Sequence, residues 1–283
     1  MAGEPTVRIG HAERGARDHL CCLYRDAAEY HRRAAVFFAD GLREGLRVAY
    51  TATHGMQAAR AELADLDDVD RLVADGAVQI LPAQEMYGPG EPVDPERVVA
   101  ACAAATEAAL ADGFRGLRVS ADVTGLVRTP EQQDAFARAE VLADRYMADH
   151  PLSALCGYSV DLGEDTAAEF AALHAPGSSR DTGVRVFGCA DGALGLAGEF
   201  DLATVPVLER LLTRLRPGAD AGALVVDMAA VDFLDHRLLI ALDDYARTRA
   251  VALSLRSAPR LTARLLELLA IADLHLTELG AVA

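Results

Sequence analysis

Residues 116–158 read GLRVSADVTGLVRTPEQQDAFARAEVLADRYMADHPLSALCGY, and this stretch decides the fold. Gly116-Leu-Arg-Val-Ser120 is a short run of strand length. A helix from Pro130 to His150 follows, because proline's fixed φ suits the first helical position. Thr129 supplies the capping hydroxyl and Gln132 stands near the capping-box position. Ala154-Leu-Cys-Gly-Tyr158 is the next strand. Strands separated by a helix of this length imply a mostly parallel sheet covered by helices.

The same alternation extends outward. His19-Leu-Cys-Cys-Leu-Tyr24 reads as a buried strand. Asp26 to Glu44 carries helical spacing at Ala35, Phe38 and Leu42, with Gly45 as the stop. Arg47–Thr51 is a strand, Met56–Leu66 a helix, and Val78–Leu81 a strand ended by Pro82. After a loop rich in Gly and Pro, Asp94 caps a helix over Pro95–Ala111. His174 to Gly183 is rich in turn formers, which predicts domains at 1–176 and 184–283 with a linker at 177–183. Beyond it, 184–186 and 193–197 pair as strands across Ala190-Asp191-Gly192. Thr204–Leu215 is a helix, Ala223–Asp227 a buried strand, and Asp235 caps a helix over His236–Arg249. Val251–Leu255 is a strand, and a helix from Pro259 sets Leu261, Leu265, Leu268 and Leu269 on one face. The fold class is α/β, a parallel-sheet domain followed by a smaller αβ domain.

The 283 residues are 52% apolar, enough for two cores. Against 43 acidic residues stand 27 basic ones, a formal net charge of −16. Both halves are acidic, which opposes a nucleic-acid backbone and an anionic membrane surface. Every basic residue is Arg, and the chain lacks Lys, Asn and Trp. Codon bias in a GC-rich genome is the simplest account, but the missing Lys still removes a Schiff-base nucleophile and a phosphate-gripping side chain. No window has the ~18 apolar residues of a membrane span, and the N-terminus lacks a signal-peptide core. Five scattered cysteines without a CxxC pair predict a reducing cytoplasm rather than a disulfide framework or a zinc knuckle.

Gly198-Glu-Phe-Asp201, Leu224-Val-Val-Asp227, Val231-Asp-Phe-Leu-Asp235 and the run from Ser257 to Leu269 together resemble a STAS domain, the fold of anti-sigma factor antagonists. The resemblance implies a protein partner, an anti-sigma factor of the ATPase-kinase type, docking around Asp232, Asp235, His236, Arg237 and Leu238. In the phosphorylated members that loop reads Asp-Ser-Ser-Gly-Leu, whereas here it is Asp235-His-Arg-Leu-Leu239. No hydroxyl stands at either serine position, so the phosphoswitch is expected to be absent. His236 and Arg237 are either drift in a loop no longer phosphorylated or a changed docking surface.

Asp18-His19-Leu-Cys21-Cys-Leu-Tyr24, Gly116-Leu-Arg118-Val, Glu140 and Ala154-Leu-Cys156-Gly-Tyr158 resemble the MEDS sensory domain over about residues 8–175. The resemblance implies a degenerate relative of RecA/KaiC-type ATPases, found in bacterial regulators of methyl-compound metabolism. After Tyr24 the chain has Arg25-Asp-Ala-Ala-Glu-Tyr30, with neither Gly nor Lys to cradle phosphates. His19, Cys21, Tyr24, Arg118, Glu140 and Cys156 are the candidate pocket residues for a small-molecule ligand. His19 and Cys21 share a strand face and offer three readings: a core histidine held by Asp18, a ligand or redox pocket, or a metal pair. Arg118 and Glu140 either form a buried pair or line the pocket. No catalytic constellation is legible. The expectation is a non-enzymatic cytoplasmic regulator of transcription, without cofactor or metal, that binds an anti-sigma factor under sensory control. The alternative is a small-molecule-binding or residual-enzyme domain with the second domain as a scaffold.

Overall fold

A computed structural model describes residues 19–53, 55–88, 92–175 and 182–277. Strands β1 (His19–Tyr24), β2 (Arg47–Ala52), β3 (Val78–Pro82), β4 (Leu117–Asp122) and β5 (Leu152–Ser159) form one sheet. Its order is β1-β5-β4-β2-β3, parallel throughout. Helices α1 (Ala27–Arg43), α2 (Met56–Glu62) and α3 (Val69–Ala74) cover one face. After α4 (Ala83–Tyr87), α5 (Pro95–Ala111), α6 (Pro130–Asp149) and α7 (Glu164–Ala172) cover the other.

The local signals act as expected at the helix starts. Asp94 accepts from Glu96 and Arg97 N–H, and Thr129 and Gln132 close a full capping box, while Asp26, expected inside the first helix, is instead the cap of α1 and accepts from Glu29 N–H. The expected helix over 56–66 stops at Glu62, and α3, α4 and α7 are short helices that the periodicity did not announce.

The second domain holds β6 (Val184–Gly188), β7 (Leu194–Phe200), β8 (Ala223–Leu234), β9 (Ala252–Arg256) and β10 (Leu274–Thr277), in the order β10-β9-β8-β7-β6. β6 runs antiparallel to β7 and the other pairs are parallel. Its helices are α8 (Val205–Leu215), α9 (His236–Arg249) and α10 (Leu261–Leu269). β8 runs seven residues past the expected Asp227, with register shifts against β7. The α10 face differs from its sequence expectation. Thr262 and Leu266 are buried, whereas Leu261 and Leu268 are exposed, because the helix is rolled so that a threonine meets the core.

The two domains share one hydrophobic cluster. Helices α6 and α7 pack on β6 and α8. At Gly188 a Cβ would come 2.1 Å from the Val141 carbonyl oxygen of α6, so only glycine admits this approach. Arginines of the second domain meet acids of the first: Arg185 with Asp144 (2.8 Å), Arg210 with Glu169 (2.6 Å), and Arg214 with both Glu169 and Asp134. Part of the acidity of the first half is thereby answered within the chain.

Gly157 on β5 is a second close approach. A Cβ there would lie 2.6 Å from the Tyr30 ring, which is held by its hydroxyl on Ser120 Oγ (2.8 Å) and so cannot easily yield. Gly157→Ala is expected to lower stability by about 1–3 kcal/mol. Urea unfolding should show the midpoint fall with the slope unchanged.

Candidate functional site

Alternation along β1 turns His19 and Cys21 toward α5, α6 and α7, and Cys22 and Tyr24 toward α1. The parallel register places Cys21 opposite Cys156 and His19 opposite Ala154. Glu140 and Asp144 stand one turn apart on α6, so both reach down onto the same face. Just past the end of α7, His174 closes the group.

The result is a buried polar cluster. His19 lies between two carboxylates, with Nε2 2.9 Å from Glu140 Oε2 and Nδ1 2.9 Å from Asp144 Oδ1. Cys156 Sγ is 3.8 Å from His19 Nε2 and 3.9 Å from Glu140 Oε2. Tyr158 donates its hydroxyl to Glu140 Oε1. His174 shares its Nδ1 proton with the Phe170 carbonyl (2.6 Å). Its Nε2 lies 3.6 Å from Glu140 Oε1 and has no hydrogen-bond partner. Asp144 Oδ1 also takes Arg185, so the cluster continues to the second domain.

The electrostatics follow from burial set against charge. Burial opposes a proton on His19, but the carboxylates of Glu140 and Asp144 outweigh it and raise its pKa to about 9. Burial likewise opposes charge on Glu140, but His19, His174 and the hydrogen bonds from His19 and Tyr158 bring it down to about 2. For His174, burial and the neighbouring His19 both act against the proton and lower it to about 4. Burial first, then Glu140, pushes the Cys156 thiol up. A cavity of about 40 Å³ adjoins His19, Glu140 and Cys156, walled chiefly by apolar side chains such as Met86, Val119 and Phe136.

A second, wider space of about 490 Å³ lies at the carboxyl ends of the parallel strands, where open α/β sheets bind ligands. Tyr24, Arg25, Asp26, Asp122, Thr124 and Asp161 are among its walls. Tyr24 donates to Asp122 (2.7 Å) and meets Thr124 Oγ1 at 3.0 Å. The turn after β1 presents the side chains of Arg25 and Asp26 to this space, and no phosphate-cradling glycine.

The structure therefore splits the candidate pocket residues. His19, Glu140 and Cys156 converge, with Cys21 buried beside them. Tyr24 belongs to the cleft at the strand ends. Arg118 does not pair with Glu140, because β4 turns it to the opposite face of the sheet. There it bonds the Phe37 carbonyl (2.9 Å) and Glu44 (3.2 Å), and its stem lies against the bare Cα of Gly41. Asp18, the expected holder of His19, lies outside the described residues, and Asp144 does that work. The missed members are Asp144 and His174. Asp144 is marked in the sequence only as lying one helical turn from Glu140, whereas His174 opens a stretch whose turn formers predict a linker.

In the second domain Asp235 caps α9 through the Arg237 N–H, and its other oxygen holds the Arg237 guanidinium (2.7 Å). Asp232 and His236 are exposed. Leu238 is fully buried, so it packs the core and does not line a docking surface, because the helix's first turn points it inward. At the same end of β7 and β8, Leu202 is 67% exposed and Phe233 51%. No helix among the described residues is long and apolar enough to cross a membrane.

Residues 18–175 match the family model described as MEDS, the MEthanogen/methylotroph, DcmR Sensory domain. The match takes in the whole buried cluster save Arg185. No curated protein matches the chain.

Proposed function

Because the chain belongs through residues 18–175 to the MEDS family of sensory domains, we propose that it is a cytoplasmic signalling regulator in which the sensory half controls a STAS-like second domain. The partner of that domain is an anti-sigma factor of the ATPase-kinase type, which it occupies so as to release a sigma factor. One observation carries the reading. Helix α6 bears Glu140 and Asp144 at the buried cluster and also packs against β6, with Asp144 holding Arg185. A ligand that redistributes charge at Glu140 therefore changes what α6 presents to the second domain.

The docking surface follows from exposure. Asp232 and His236 are exposed near Phe233 at the end of β8, and Leu202 is exposed just past the end of the paired strand β7, so apolar and charged side chains are offered together at this edge. The loop carries no hydroxyl at 236 or 237, so control passes from phosphorylation to the sensory domain. Within this reading the protein catalyses no reaction.

Affinity capture with the full chain should retain a partner of the anti-sigma kinase type. Converting Phe233 to Asp, or His236 and Arg237 to Glu, should weaken that complex about tenfold to a hundredfold. Capture that persists undiminished in both variants would remove this surface from the reading. Absence of any such partner would remove the regulatory reading itself.

A further inference from the structure

The buried cluster has the form of a metal centre. Among the described residues, His19, Glu140, Cys156 and His174 are the group whose ligating atoms, one from each residue, all lie within 4.8 Å of one another, and all four residues are buried. We propose that these four side chains bind one divalent transition-metal ion of the zinc type.

Several features converge on that reading. The ligand atoms are two imidazole nitrogens, a carboxylate oxygen and a sulfur, the donor set of a four-coordinate zinc site. Both imidazoles offer Nε2 inward while Nδ1 is held from behind, by Asp144 in one case and the Phe170 carbonyl in the other. Such outer partners are what fix the ring orientation of metal-bound histidines. Glu140 is oriented in the same way by the Tyr158 hydroxyl. His174 Nε2 is fully buried, points at Glu140 and has no hydrogen-bond partner, a costly arrangement unless something occupies the space between. Coordination displaces to solvent the proton that His19 Nε2 shares with Glu140 and the thiol proton of Cys156, and the resulting thiolate and the Glu140 carboxylate neutralise a dication in a site closed to bulk solvent.

The inference borrows from the sensor reading only its location and would stand without a sigma-regulator partner. If partner capture succeeds and metal is refused, the metal inference fails alone; if metal binds and no partner is captured, the partner reading fails alone.

The test uses the full chain, stripped with a chelator and titrated with Co²⁺, then with Zn²⁺ as competitor. Expected are one equivalent bound, intense visible absorption from a tetrahedral site, a near-ultraviolet thiolate-to-cobalt band, and displacement by Zn²⁺. Cys156→Ser should abolish the thiolate band and weaken binding at least tenfold, and His174→Ala should weaken binding at least tenfold while keeping the band. Asp144→Asn, which removes no metal ligand but loosens the hold on His19 and on Arg185, should weaken it about tenfold to a hundredfold. Cys21→Ser should change neither band nor affinity. Absence of saturable uptake by the native chain, a native complex without the thiolate band, or a band that survives in Cys156→Ser overturns the proposal. The first two outcomes need no variant, so a substitution that prevents folding leaves the test intact.

Discussion

Glu140→Ala is expected to lower the stability of the metal-free chain by about 3–5 kcal/mol. The carboxylate is buried and serves His19, Tyr158 and Cys156 at once. Without it, the buried imidazolium of His19 keeps only Asp144, which already shares an oxygen with Arg185. The Tyr158 hydroxyl also loses its acceptor, and an unsatisfied buried donor adds its own cost. Glu140→Gln keeps the shape and an acceptor for Tyr158 but not the charge, so it should cost distinctly less than alanine. Urea unfolding in the presence of a chelator separates the two variants from the native chain. Equal losses for both, or a loss under about 1 kcal/mol for alanine, would mean that the paired charge is not what stabilises the cluster.

Glu169→Ala should have the next largest effect, and at a different place. Its carboxylate is 2% exposed and takes a guanidinium on each oxygen, from Arg210 and from Arg214. Both arginines come from the second domain, so this one acid joins the domains twice. They reach solvent in part, at 37% and 17% exposure, and Arg210 has Asp165 in reach at 3.5 Å. The expected loss is therefore held to about 2–3 kcal/mol. The sharper readout is cooperativity. Calorimetry of the native chain should give one coupled transition, and the variant should resolve into two as the domains unfold separately. A double-mutant cycle with Arg214→Met should show strong coupling, since the two changes remove the same contact. A single transition in Glu169→Ala, with additive losses in the cycle, would assign the coupling to the apolar contact alone.

The parallel sheet was legible because its signals are local. Strand runs alternate with capped helices, and Asp94, Thr129 and Asp235 each cap the helix that their sequence announces. Within the site, the sequence marks His19, Glu140 and Cys156 singly, but their meeting depends on register and on the roll of α6. Those are tertiary quantities that no window of sequence contains. Arg118 shows the same limit from the other side. A strand arginine and a helix glutamate invite pairing, yet alternation places them on opposite faces. His174 was hidden by composition, because the turn formers that follow it made the whole stretch read as a connection. Leu238 looked exposed only because glycine stands there in the resembling family, whereas here the first turn of α9 buries it. The outer half of β8 was masked by Asp227 and the small residues after it, and it is held by pairing with β7 rather than by its own propensity.

The contact of Gly188 with the Val141 carbonyl has a mechanical consequence. Where two elements meet through side chains, a small displacement is absorbed as rotamers give. Here main chain rests on main chain, and the contact has no side-chain torsion to spend. A slide or roll of α6 is handed to β6 at almost its full amplitude, and through the sheet's hydrogen bonds to β7 and β8. The absence of a side chain makes this joint a stiff coupling rod, in which the missing methyl group is what lets an ångström at one end remain an ångström at the other.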